Sequence, residues 1–193
     1  ADGGRTACGG AITNDGQLVA NRVWIQNNDS TGSGGAVCNH SLTETDPPHG
    51  LDHLPTLTLY EATVTINTAR LAGGAVYTST SALIAESLLY LNWADDGAGL
   101  HVARSGRAGV ITSVVNTRIR GNWATGLTDP DTLRDRGGIG AGISTRGDLW
   151  VQESDISENR AMIKGGGIAV SDTGHLHLSQ SLVNRNHARR DGG

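Results

Sequence analysis

Six glycine-rich starts, each followed by a β-rich stretch that closes on an asparagine, constrain this 193-residue chain more than any other feature. The starts are Gly9-Gly10-Ala11-Ile12, Gly34-Gly35-Ala36-Val37, Gly73-Gly74-Ala75-Val76, Gly97-Ala98-Gly99-Leu100, Gly140-Ala141-Gly142-Ile143 and Gly165-Gly166-Gly167-Ile168. The closing residues are Asn28, Asn67, Asn92, Asn122, Asn159 and Asn186. Counted back from the Asn, the third residue is always aliphatic: Ile25, Val64, Leu89, Ile119, Ile156, Val183. The eighth is always apolar: Ala20, Leu59, Ile84, Val114, Val151, Leu178. The tenth is Leu18, Leu57, Ala82, Thr112, Leu149 and Leu176, and the fifth is small or branched, from Val23 to Ser181. The second residue after the Asn is Ser30 or Ala.

Side chains alternate along a strand, so the tenth and eighth positions share one face, and the fifth and third share another. The gap of three between those pairs breaks the alternation, and the chain must bend there. With a short strand after each glycine pair, this gives three short strands per coil. A coil of about 25 residues has no room for packed helices. It also buries too few aliphatics to offset the ordering of its own backbone, so coils must stack. Stacking puts like on like: aliphatic rows inside, Gly at one tight corner, Asn at another. Gly permits positive φ and close approach of neighbouring backbone. Asn tolerates left-handed geometry and bonds to turn backbone. The Asn row is therefore read as structural. The expected fold is all-β: a single parallel β-helix domain over residues 1–193, with about six coils starting near 9, 34, 73, 97, 140 and 165.

Composition agrees with a solenoid. There are 28 Gly, no Phe and one Met, so no large aromatic core can form. The net charge of −4 is dispersed, with no basic block, which argues against nucleic acid as a partner. No apolar run approaches the ~18 residues of a membrane span. Ala1-Asp2-Gly3-Gly4 suits a mature end left by cleavage.

The Gly-Gly-Ala-(Ile/Val) start and the aliphatic-x-x-Asn-x-Ala close resemble the repeats of right-handed parallel β-helices on bacterial surfaces, most nearly the polymorphic outer-membrane protein and autotransporter-passenger type. The resemblance covers about Gly9 to Gly193. That family usually has Phe three residues before the Asn; here it is Ile, Val or Leu. The resemblance implies right-handedness and an extracellular or cell-surface location with an adhesive or structural role. No Ser-His-Asp or Cys-His constellation is discernible in the sequence, so no enzyme and no cofactor are expected.

The Asn-to-Asn spacings are 39, 25, 30, 37 and 27 residues, and the long ones mark insertions at about 38–55 and 125–138. The first carries His40, His49, Asp52 and His53, and the second Asp129, Asp131 and Asp135 beside Arg134 and Arg136. Neither has the convergence a metal needs, and both are read as solvated loops. Asp95-Asp96 is the pair a carbohydrate-active enzyme on this fold would use. Here it sits in a Gly-flanked turn and is read as two solvated acids. His175 and His177 alternate with Leu176 and Leu178, so they face outward. Cys8 and Cys38 leave two readings open: one disulfide in an oxidising compartment, or two small thiols.

Trp24, Trp93, Trp123 and Trp150 fall outside the core phases, as do Tyr60 and Tyr90. Trp93 and Trp123 directly follow their Asn, so they should stack on successive coils. Such residues are candidates for an interface or a glycan platform. Gly192 and Gly193 stand six residues after Asn186, the step at which a coil begins. An uncapped coil of this kind is a template for association. The leading expectation is a structural subunit that stacks head to tail into a filament, with an axial repeat of about 29 Å from six coils at ~4.8 Å each. The alternatives are an excerpt of a longer passenger acting as an adhesin or glycan-binding module, and a carbohydrate-active enzyme.

Overall fold

The computed structural model describes residues 8–40, 55–128, 135–171 and 173–190. They form a right-handed parallel β-helix of six coils, with no helix among the described residues. Four parallel six-stranded sheets run the length of the stack. The first sheet joins Ile12–Asn14, Val37–Asn39, Val76–Thr78, Leu100–Val102, Ile143–Thr145 and Ile168–Val170. The second joins Gln17–Asn21, Thr56–Tyr60, Ser81–Ala85, Ile111–Val115, Asp148–Gln152 and His175–Ser179. The third joins Trp24–Gln26, Thr63–Thr65, Leu88–Tyr90, Arg118–Arg120, Asp155–Ser157 and Leu182–Asn184. These are the three strands per coil that the spacing predicts.

A fourth sheet of two-residue strands follows each Asn: Asp29–Ser30, Thr68–Ala69, Trp93–Ala94, Trp123–Ala124, Arg160–Ala161 and His187–Ala188. Its inward residues are almost all alanine, which lets this side of the coil close tightly. In the second connection, Leu127–Thr128 pairs antiparallel with Asp135–Arg136.

Like lies on like in register. Leu18, Leu57, Ala82, Thr112, Leu149 and Leu176 align along the second sheet. Ile25, Val64, Leu89, Ile119, Ile156 and Val183 align along the third. Leu57, Leu59, Val64, Ile84, Leu89, Ile119, Leu149 and Ile156 are fully buried in one continuous core.

The Asn row works in one direction. The backbone N–H and the side-chain Nδ2 of each Asn both donate to Oδ1 of the next. Asn92 reaches Asn122 at 2.9 and 3.0 Å, and Asn122 reaches Asn159 at 3.0 and 3.0 Å. From Asn67 onward each Nδ2 also donates back to an aliphatic carbonyl one coil earlier, as Asn122 does to Leu89 at 3.0 Å. A second row has the same design. The backbone N–H of Ser87, Thr117 and Ser154 donates to the hydroxyls of Thr117, Ser154 and Ser181, at 3.1–3.2 Å. Ser87, Thr117 and Ser154, expected as plain core residues, are hydrogen-bonded rungs.

One local expectation is corrected. The ruler Asn residues are not left-handed; the residues before them are. Asn27, Ile66, Leu91, Gly121, Glu158 and Arg185 all have φ between 50° and 63°. Arg22, Glu61, Glu86, Asn116, Glu153 and Gln180, ahead of the fifth-position row, have φ between 44° and 54°. A left-handed residue turns the chain, and the next side chain caps the exposed N–H of the preceding coil. The glycine corner follows its own rule. Gly34 has φ 67°, and a Cβ on Gly35 would overlap the Gly74 carbonyl of the coil above.

Removing a buried rung leaves several groups without partners at once, at roughly 1–3 kcal/mol each. Asn122→Ala is expected to cost about 3–5 kcal/mol, and Asn28→Ala, at the half-exposed first rung, less than half of that. Urea unfolding of the two variants checks this. Equal, small losses would show that the row contributes little.

Candidate functional site

The corner between the first and second sheets differs from coil to coil. In coils one, three and five it is two residues long: 15–16, 79–80 and 146–147. In coil two it carries the 40–55 insertion. In coil four it carries an eight-residue loop, Ala103 to Val110, which the Asn spacing did not flag. Inside this corner runs a polar row. Asn14 donates to Asn39 at 2.7 Å, and Asn39 donates to Thr78 and Thr80 at 3.0 and 2.8 Å. Val102 interrupts the row in coil four. It resumes in coil five, where Thr145 donates to the Gly147 carbonyl at 2.9 Å.

The loop stands over a cleft of about 180 Å³ that spans coils three to six. Arg104 and Arg107 from the loop and Arg146 from the next coil line it, together with Asp148 and His175. The three guanidinium groups make no ion pair with a described residue. Three positive charges thus meet one carboxylate in a chain whose net charge is −4. Thr112 also lines the cleft; it is 1 % exposed, and its buried hydroxyl has no hydrogen-bond partner. The three exposed arginines outweigh the one carboxylate that lines the cleft with them, and guanidinium forks suit an anion; the Thr112 hydroxyl is sealed on the inward side of its strand.

Arg146 also acts on its surroundings. His101, on the outward side of the first sheet, is buried and stacks on Tyr77, with centroids 5.5 Å apart and planes 2° from parallel. Burial pushes its imidazole down to about 4, with Arg146 adding to the effect, so it is neutral at physiological pH. Asp95 and Asp96 lie at the corner leading into coil four. Burial, then the neighbouring Asp96, pushes Asp95 up to about 7. Burial raises Asp96 too, opposed by the Ile139 N–H at 3.2 Å, by Arg146 and by Lys164. These acids are half-buried, not solvated as expected from the sequence.

The aromatic residues do not form one platform. Trp93 and Trp123 are register partners on the fourth sheet, both exposed. Trp150 lies outward on the second sheet beside His177, with centroids 4.7 Å apart. Trp24 lies on the third sheet, and all of these indoles are exposed. Tyr60 donates to Glu86 at 3.0 Å, and Tyr90 lies under Arg120, 5.2 Å from the guanidinium carbon. Cys8 and Cys38 are joined in a disulfide with Cα atoms 5.6 Å apart, tying the first coil to the second. His40 brings its imidazole close to both sulfurs, but the disulfide occupies them. His49, Asp52, His53, Asp129, Asp131, Arg134, Gly192 and Gly193 lie outside the described residues, as do the side chains of Asp135 and Arg136.

No protein-family model, curated protein or solved structure matches the chain.

The raised Asp95 has a directional consequence. Its pKa in the fold lies above the ordinary 3.8, so the fold favours its protonated form. That contribution is complete below pH 3.8 and is lost as pH rises through about 7. Asp95→Asn is expected to raise the thermal midpoint relative to the parent at pH 8, and to leave it unchanged at pH 3.5. Thermal denaturation at the two pH values checks this; a variant less stable than the parent at pH 8 contradicts it.

Proposed function

We propose that this chain is a non-enzymatic solenoid of the extracellular space that serves as a surface-displayed binding module, with the coil-four cleft as its ligand site. The observation that carries this reading is the gathering of Arg104, Arg107 and Arg146 around one cleft, without an ion-pair partner among the described residues. Like charges gathered from two coils repel one another, and their arrangement is stabilised when an anion joins them. The disulfide supports an oxidising location, since such bonds persist mainly outside the reducing cytosol. A rigid stack bearing a loop over a cleft is also how solenoids commonly present binding residues.

The test is a chemical-shift titration with inorganic sulfate at constant ionic strength. Saturable shifts are expected at residues 103–110 and 146–148. In the triple variant Arg104→Gln, Arg107→Gln, Arg146→Gln they should weaken at least tenfold. Shifts of equal size in the triple variant would sink the reading.

A second reading is association with another copy. Trp93 and Trp123, register partners on the fourth sheet, are both exposed and would supply lateral contacts. Light scattering across concentrations, with electron microscopy, tests this. Concentration-dependent oligomers that vanish in Trp93→Lys, Trp123→Lys favour it, and a monomer at every concentration removes it.

A further inference from the structure

The surface around the cleft narrows the chemistry of its ligand. Asp148 lines the cleft and stands outward at the start of its second-sheet strand. Trp150 stands outward two residues further along, a step of about 6.6 Å. It is 52 % exposed and is held against His177 of the next coil. Arg146, Asp148 and Trp150 thus follow one another at two-residue steps, from the edge of the cleft to an exposed indole on the sheet beside it.

We infer that the cleft binds an acidic sugar unit, with its carboxylate or sulfate on Arg104, Arg107 and Arg146 and a sugar ring face on Trp150. This rests on the reading of the cleft as a binding site. Each element matches one part of such a ligand. Guanidinium forks pair with planar or tetrahedral oxyanions through two parallel N–H donors. The Asp148 carboxylate accepts hydrogen bonds and cannot donate them when ionised, so it suits a ligand with free hydroxyl groups beside its anion. An indole offers a flat apolar face to the C–H side of a ring.

The same elements select against other anions. An inorganic ion uses the arginines alone and leaves Asp148 and Trp150 without a role. A nucleic acid strand needs a cationic groove that follows its backbone. Here the carboxylate of Asp148 lies between the arginines and the indole, where a second phosphate would fall.

Isothermal titration with four probes tests this: a uronic-acid hexasaccharide, a sulfated hexasaccharide, a neutral hexasaccharide and inorganic sulfate. At least one acidic oligosaccharide is expected to bind ten times more tightly than inorganic sulfate, with affinity falling as salt rises. The neutral one should show no binding at the same concentrations. Arg104→Gln with Arg146→Gln should weaken the acidic oligosaccharide at least tenfold. Trp150→Ala should weaken it threefold or more while leaving inorganic sulfate unchanged. Inorganic sulfate bound as tightly as the better of the two acidic oligosaccharides would overturn the sugar assignment and leave the cleft standing as an anion site. Equal binding of the neutral oligosaccharide, tighter binding of a single-stranded oligonucleotide, or no effect of Trp150→Ala would also overturn it. If none of the four probes binds, the binding-site reading falls as well.

Discussion

Everything in this molecule depends on how a parallel β-helix satisfies the backbone at its corners. Strands within a sheet bond their neighbours above and below. At a corner the chain turns through a left-handed residue and the ladder is broken. Left alone, the N–H groups there would be buried without partners, at a cost comparable to a lost hydrogen bond. The sequence answers with a polar side chain immediately after the left-handed residue in every coil but the first two of the Ser/Thr corner, where Val23 and Ala62 stand. Asn does this at one corner, and Ser or Thr at another. Because each side chain serves the coil before it, the rungs only work when coils lie in register. The same bonds that close the corners therefore fix the stacking, and the aliphatic rows follow.

That logic explains what could be read from the sequence and what could not. The Asn rung is legible because one residue type must recur: it supplies an acceptor for two N–H donors and a donor for a carbonyl. The left-handed residue before it is illegible. Asn27, Ile66, Leu91, Gly121, Glu158 and Arg185 share a φ value and no chemistry. The two-residue fourth sheet was hidden because a strand that short has no alternation to detect. The cleft was harder still. Its loop lengthens one coil by only five residues over the shortest spacing, 30 against 25. Its third arginine comes from the following coil, which linear spacing does not reveal.

The position of the loop is not arbitrary. Both of the insertions that leave between the first and second sheets, in coils two and four, do so at the corner where the polar row is built from mixed residues. At the Asn corner the left-handed residue and its cap repeat in every coil, and at the Ser/Thr corner the left-handed residue repeats in every coil with the hydroxyl cap from coil three onward, leaving little slack for extra chain. Here Asn14, Asn39, Thr78 and Thr145 hold the row by different bonds, and Val102 shows that one coil tolerates its loss. Loop closure grows slowly more costly with length, so a corner that does not rely on a fixed rung accepts an insertion readily. Thr112, with its unpartnered hydroxyl, stands in the inward row between Ala82 and Leu149, next to the strand end from which that loop leaves.

Arg146 joins this cleft to the ionisable groups behind it. Its charge disfavours the protonated forms of both Asp96 and His101. An anion seated on the guanidinium cancels part of that field, so both groups bind protons more readily when the cleft is filled. Linkage is reciprocal: protonating either group adds positive charge near the cleft and strengthens the hold on the anion. The buried imidazole, with its pKa near 4, and the raised carboxyl of Asp96 respond in the same sense. Arg146 thus lies within electrostatic reach of both the cleft and the acidic corner behind it.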